Sequence, residues 1–274
     1  MIPNESFVKG VHKYQVEAFK AFDSGAYRFF SLEWHRRARK TTLAINLLVR
    51  ECCKIPNSKY VYIAPTQVQA RNIVWDDPNM LRAAMPDKSE MGWDMNEQKM
   101  LVKFANGSML KIGGSDNPDS LRGIDAIGTV FDEWALIKEE TYTEIFRPII
   151  AGPVRDELAE MGVFRWAIFL YTPKGINHAT IQFDKACALD DGGALPDNGQ
   201  AEKTAEGWFA SRLDGEKSGI MTKAELDLAR EEMPPTYYDQ EIRCSRITEE
   251  ERTLITTAML EKLKTLDWKA MRAM

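Results

Sequence analysis

No apolar run in the 274 residues approaches the about 18 needed to cross a bilayer as a helix, so a membrane span is excluded. The first residues, MIPNESFVKG, contain no apolar signal-peptide core. Cysteine is scarce. Of Cys52, Cys53, Cys187 and Cys244 only the first two are close, and neighbours in sequence rarely pair or chelate together. All four read as reduced thiols, which excludes a disulfide scaffold and a zinc site. The three histidines, His12, His35 and His178, show no metal-ligand spacing. Excess positive charge is also missing: the net charge is −5, whereas a protein that grips nucleic acid tightly presents a basic face. Hydrophobic content of 44% and charged content of 28% suit a soluble globular chain of one large domain, with or without a small subdomain.

Basic residues that are present concentrate at one place. WHRRARKTT, residues 34–42, follows an apolar stretch (Tyr27, Phe29, Phe30, Leu32) and precedes a helical pattern (Leu43, Ala44, Leu47, Leu48). Strand, tight loop, Lys-Thr and helix is the layout of a phosphate-binding loop. In that reading Lys40 reaches the β- and γ-phosphates, Thr41 offers its hydroxyl to Mg²⁺, and the helix start aims free N–H groups at the anion. Trp34 and Arg39 stand where that pattern has glycine, and a plain basic helix start explains the same residues.

A second segment, IGTVFDE at residues 127–133, is an apolar run ending in two carboxylates. As a Walker B strand it delivers Asp132 to Mg²⁺ and Glu133 to an attacking water. The simpler alternative is a strand followed by a helix whose first turn carries acids. A third, FRWAIFLYTPKG at residues 164–175, is a strand ending in a polar turn, with Thr172 placed to sense a γ-phosphate or merely to open a turn.

Around these segments the periodicity predicts alternating elements. Helices are expected at residues 12–22, 41–53, 66–75, 138–145 and 222–233, the last with a Thr222/Glu225 capping box. Strands are expected at 27–32, 59–64, 164–171 and 208–213, with a hairpin of 100–104 and 108–112 turning at Asn106-Gly107. Residues 146–153 read as irregular, and 190–202 as the clearest flexible loop. Trp34 reads as packing or as a stacking surface for adenine. Trp75, Trp93 and Trp134 read as core or interface fillers.

Taken in order, these segments resemble the ATPase domain of tailed-phage terminase large subunits. HRRARKTT is similar to that family's Arg-x-x-Gly-Lys-Thr loop except at Arg39. Asp132 and Glu133 match its Walker B acids, and Thr172, Pro173 and Gly175 its coupling motif. YIAPTQVQA (62–70) resembles the strand and loop after the phosphate-loop helix. SLRG (120–123) resembles the stretch holding a finger arginine, here Arg122. HKYQ (12–15) resembles the adenine-contact motif, here with Gln15 as base reader. YYDQEIR (237–243) resembles a lid segment.

The resemblance implies an α/β P-loop NTPase of the additional-strand, RecA-like type, with a mostly parallel sheet, helices on both faces and a small C-terminal lid. Its expected parts are a core at residues 1–205, a lid at 206–250, and a linker or truncated segment at 251–274. The stretch beyond Arg246 is too short for the nuclease domain that family members usually carry. The implied activity is ATP hydrolysis with Mg²⁺, driving double-stranded viral DNA into a procapsid. Arg36, Arg39, Lys40, Thr41, Thr42, Thr172 and Gln15 would hold nucleotide, Thr41 and Asp132 the metal, and Lys40, Glu133 and Arg122 would carry the chemistry. The implied partners are DNA, a portal protein, a terminase small subunit and further copies in a ring, a pentamer, in the host cytoplasm. Two rivals stand: a superfamily 2 helicase-like ATPase, and a non-hydrolysing nucleotide-binding or assembly protein, for which Arg39 speaks. With the site empty, Arg39 is expected to pair with Asp132 or Glu133 and occlude the loop.

Overall fold

The structure, a computed structural model, describes residues 11–246. Its elements follow the hydrophobic pattern closely. They begin with α1 (Lys13–Asp23), β1 (Phe29–Trp34), α2 (Lys40–Lys54) and β2 (Lys59–Ala64). Next come α3 (Gln67–Ala70), which continues as π-helical turns at Arg71–Trp75, and α4 (Leu81–Ala84). An antiparallel group follows: β3 (Trp93–Asn96), β4 (Leu101–Phe104) and β5 (Met109–Gly114). Then come β6 (Gly128–Asp132), α5 (Arg147–Ala151), α6 (Asp156–Glu160), β7 (Trp166–Tyr171) and α7 (His178–Ala186). The chain closes with β8 (Gly199–Gln200), β9 (Trp208–Leu213), α8 (Gly215–Ser218), α9 (Lys223–Glu232) and α10 (Pro235–Glu241).

One nine-stranded sheet runs in the order β3-β4-β5-β2-β6-β7-β1-β9-β8. The strands from β5 to β9 in that order are mutually parallel; β4 and β8 run against them, and β3, antiparallel to β4, lies at the outer edge. Side-chain alternation explains the two-sided burial. Phe30, Leu32 and Trp34 of β1 and Trp166, Ile168 and Leu170 of β7 join Leu43 and Leu47 of α2 and Tyr14 of α1 in one core. Val61, Phe131, Phe169 and Tyr171 face the other way, onto Phe183 of α7 and Phe146. Gly128 opens β6 where a Cβ would stand 2.1 Å from the ring of Trp166.

Several expectations need correction. Residues 206–213 were assigned to a lid, but β9 pairs with β1 over Phe29↔Trp208 to Trp34↔Leu213 and belongs to the core sheet. The separate helical segment starts only after Leu213, where Met221, Ala229, Tyr238 and Ile242 form a small cluster of their own. The helix expected at 138–145 is π-helical at Thr141–Phe146, and helix α5 occupies much of the stretch read as irregular. The stretch 190–202, read as a flexible loop, contributes β8 to the sheet edge. The linker expected at 251–274 lies outside the described residues.

Candidate active site

β6, β7 and β1 are neighbours and parallel, so their C-terminal ends open at one edge of the sheet. Ligands of open α/β sheets bind at that edge. The loop after β1 takes left-handed backbone at Arg37 (φ 70°) and Arg39 (φ 54°), a shape that glycine adopts freely and that costs other residues on the order of 1–2 kcal/mol each. The chain thus builds a tight loop without glycine. It is braced from α1: His12 Nε2 donates to the Ala38 carbonyl at 3.0 Å and Gln15 Nε2 to the Arg39 carbonyl at 3.1 Å. Burial holds the His12 imidazole below its ordinary pKa.

Lys40 opens α2 and is buried. Its ammonium donates to the carbonyls of Trp34 (2.9 Å) and His35 (3.1 Å) and to Thr172 Oγ1 (2.9 Å), just beyond β7. Thr172 in turn donates to the Trp34 carbonyl at 3.0 Å. All three ammonium protons are therefore directed by the loop and by Thr172.

Thr41 Oγ1 donates to Asp132 Oδ2 at 2.6 Å, joining the first turn of α2 to the end of β6. Tyr62 from β2 donates to the same oxygen at 2.6 Å. Burial and the charge of Asp132 push the Tyr62 phenol up, so it remains a donor. Asp132 Oδ1 accepts the N–H of Glu133 at 3.0 Å. One carboxylate and one hydroxyl oxygen in contact form a hard donor set that fits Mg²⁺, which keeps waters and takes few protein ligands. Among the described residues no group of three or more His, Cys, Asp or Glu could hold a metal by itself.

Glu133 takes left-handed backbone (φ 55°) immediately after β6. Burial raises its pKa and the charge of Asp132 adds to this, against the opposing charges of Lys40 and Lys174. Lys40, Thr41, Asp132, Glu133 and Thr172 are thus assembled at one place.

The remaining expected residues lie around that place or away from it. Thr42 is partly buried beside Thr41, and its carbonyl accepts from Asn46 Nδ2 at 2.8 Å. Arg36 is exposed; its guanidinium donates to Tyr237 OH at 3.2 Å and its N–H to the Glu241 carbonyl at 2.8 Å. Gln15 is buried, with its amide on the Arg39 carbonyl and the His12 N–H. Trp34 is fully buried with Nε1 on Ser211 Oγ (3.1 Å), so it packs and offers no face to a base. Arg39 is exposed, and no ion pair joins it to Asp132 or Glu133. The expected pairing of Arg39 with those acids is not seen among the described residues, where its backbone is left-handed and its side chain exposed. Arg122 is not part of the cluster either. It sits between β5 and β6, more than half exposed, paired with Asp119 at 2.9 Å.

Sequence reasoning missed three groups. Tyr62 carried a legible signal, since a tyrosine in an otherwise apolar strand needs a partner for its hydroxyl. Glu33, fully buried in β1, is held by Arg212 and Arg246 (both 2.9 Å) and by Tyr171 OH (2.8 Å). Glu241, also buried, pairs with Lys174. Neither glutamate has a local signal, because the partners come from distant segments.

Comparison with known proteins finds the same fold. The family described as terminase large subunit, T4likevirus-type, N-terminal, matches residues 36–262. The ATPase domain of the large terminase of Thermus phage P74-26 superposes with a TM-score of 0.67 at 19% identity, covering 90% of this chain and 100% of that one. The large terminase of another thermophilic bacteriophage, solved with ATP-γ-S, gives a TM-score of 0.61 at 14% identity, over 86% of this chain and 52% of that one. A crystal of that protein with ADP gives 0.61 at 15% identity, over 86% and 53%. A search of curated proteins found no match.

Proposed function

Because the chain belongs to the N-terminal family of T4likevirus-type terminase large subunits, we propose that it hydrolyses ATP at the cluster around Lys40 and that this hydrolysis drives packaging of viral DNA. The observation that supports this best is the convergence of Lys40, Thr172, Thr41 and Asp132 through contacts of 2.6–2.9 Å at the ends of three adjacent parallel strands. Each group has a distinct task. Lys40 exchanges loop carbonyls for phosphate oxygens and neutralises their charge. Thr41 and Asp132 would hold Mg²⁺, which would supply further charge neutralisation on the phosphates. Glu133 orients the attacking water and accepts its proton as the new P–O bond forms and the bond to the leaving diphosphate breaks. Thr172 touches the lysine and so senses whether a phosphate has taken its place. Arg36, Arg39 and Thr42 flank the phosphates, and Gln15 braces the loop beside the base.

Arg122, exposed and paired with Asp119, acts on the nucleotide of a neighbouring copy in a pentameric ring. Double-stranded DNA, a portal protein and a small terminase subunit are the partners, in the host cytoplasm. The helical segment from α8 to α10 serves as the lid. Glu133→Gln is the decisive variant: hydrolysis is lost and ATP binding kept, since the amide preserves shape but is no base. Hydrolysis persisting within about threefold of wild type would remove Glu133 from this role.

A further inference from the structure

Three lysines from separate segments line one cavity of about 390 Å³. Lys59 opens β2 in register with Met109 of β5, and Val61 is in register with Lys111. Lys111 is also in register with Leu101 of β4. Paired residues share a face of the sheet, as do residues two apart, so Lys59, Met109, Lys111 and Leu101 lie on the face of Val61. Lys99 joins them from the turn before β4, where its carbonyl accepts the ammonium of Lys111. Lys59 and Lys111 are partly buried and Lys99 is exposed. No carboxylate lines the cavity. Glu97, Asp119 and Asp125, which flank these segments, are committed elsewhere: to Arg82 at 3.1 Å, Arg122 at 2.9 Å and Arg165 at 2.6 Å. Among the described residues none of the three lysines has an ion pair. Burial and the charge of Lys99 lower the pKa of Lys111, as befits a cation short of a counter-ion. A chain with a net charge of −5 thus carries a local surface of purely positive sign.

We propose that this cavity is a contact site for the phosphate backbone of double-stranded DNA, with Lys59, Lys99 and Lys111 each meeting a phosphate. A duplex presents evenly repeated anions whatever its sequence. Lysine suits that target: it is a point charge on a flexible stem, without the fixed fork of arginine. Contacts that read no base hold equally at every register, as moving a duplex requires. Leu101 and Met109 give the lysine stems an apolar floor while the charged heads stay at the rim. An acidic protein partner fits less well, because no arginine lines the cavity to grip a carboxylate at two points. Gly123 and Ile124 border the site directly after Arg122. A duplex seated on the lysines therefore lies beside the loop assigned above to a neighbour's nucleotide. This rests on the reading of the chain as a DNA-packaging ATPase.

The test measures binding of a fluorescently labelled linear duplex to the full chain by anisotropy across a salt series. In Lys59→Gln/Lys99→Gln/Lys111→Gln, affinity is expected to fall about tenfold or more, and the slope of log affinity against log salt to become shallower by about 0.9 per lysine lost. Two duplexes of unrelated sequence lose affinity equally. Nucleotide affinity stays within about twofold of wild type, which shows that the variant is folded. Lys99→Gln alone, at an exposed position, removes one such step of slope, and no change there overturns the site. The triple arginine variant keeps duplex affinity. Lys223→Gln, at an exposed lysine opening α9, serves as a charge control. A loss there as large as in the triple glutamine variant would reduce the effect to net charge and overturn the site. Wild type and triple glutamine variant binding duplex equally well also overturn it, while DNA packaging stands. Wild type that binds no duplex even at low salt overturns both. Displacement of the duplex by polyglutamate at equal charge concentration, dependent on the same three lysines, would assign the surface to an acidic protein and overturn the proposal.

Discussion

Thr172 Oγ1 receives a proton of Lys40 at 2.9 Å and passes its own to the Trp34 carbonyl at 3.0 Å, so the end of β7 and the start of the phosphate loop share one relay. Thr172→Val keeps the shape and removes the relay. The variant leaves a buried ammonium proton and a carbonyl under-satisfied, at a cost of about 1–3 kcal/mol in folding stability. ATP turnover is expected to fall by about tenfold with nucleotide affinity nearly unchanged. Denaturant unfolding and steady-state kinetics check the two halves, and undiminished turnover would show that Thr172 only closes the loop.

Arg39 gives a separate prediction. Its backbone is left-handed and its side chain exposed, with no ion pair to the acids of the site. Arg39→Gly relieves the backbone and increases stability by up to about 1 kcal/mol after the entropy cost of glycine. ATP affinity changes by less than about threefold. A gain of tenfold or more in affinity, measured by calorimetry at matched Mg²⁺ and salt, would restore the idea of an arginine that blocks the loop.

Arg122 lies outside the Lys40 cluster, exposed and paired with Asp119. Arg122→Ala should leave nucleotide affinity of the isolated chain unchanged and remove only the activity of assemblies. Mixing Arg122→Ala with Glu133→Gln subunits should recover part of the hydrolysis, since an intact arginine on one copy faces an intact glutamate on the next. An arginine finger is worth about 10³ or more in rate, so recovery is readily measured. No recovery under conditions where wild type assembles would place Arg122 elsewhere in the mechanism.

His35 predicts a dependence on pH. Its Nδ1 donates to the Arg36 carbonyl at 2.6 Å, and Nε2 lies 3.1 Å from Ser218 Oγ. Burial pushes its pKa from 6.5 down to about 4, only partly offset by the Arg36 carbonyl, with Lys40 and His12 adding to the decrease. The unfolded chain therefore binds this proton from about pH 6.5 downward and the folded chain only near 4. The stabilisation is complete above the unfolded value and is lost as pH falls through that window, by about 3 kcal/mol. Urea unfolding of wild type and His35→Gln between pH 7 and 4 should show a steeper decline for wild type. Parallel declines would mean that His35 is protonated as readily in the folded state.

Local patterns carried much of this fold. The strands at 59–64 and 208–213 coincide with β2 and β9, because each is a compact apolar run bounded by turn residues. The Thr222/Glu225 capping box is present in both directions. Lys40, Thr41, Asp132 and Thr172 were legible for a related reason, since each ends or begins an element. What stayed hidden depends on distance along the chain. β3 reads WDMN, a half-exposed edge with little apolar signal, and it forms because β4 offers hydrogen bonds. The boundary expected near residue 206 was not legible because strand order is not local: β9 pairs with β1, about two thirds of the chain earlier. Glu33 and Glu241 look like surface acids until their cationic partners are brought to them.

The buried Glu33 carboxylate has a mechanical meaning. Arg246, at the end of the described chain, grips it at 2.9 Å and also pairs with Asp184 of α7 at 2.6 Å. Glu33 is the penultimate residue of β1, the strand that leads into the phosphate loop. Load entering from the segment beyond Arg246 therefore meets β1 first, through a charged clamp, before it can peel away α10 or β9. A pull on that end is transmitted to the floor of the ATP site, and a shift of that floor is felt at the same end.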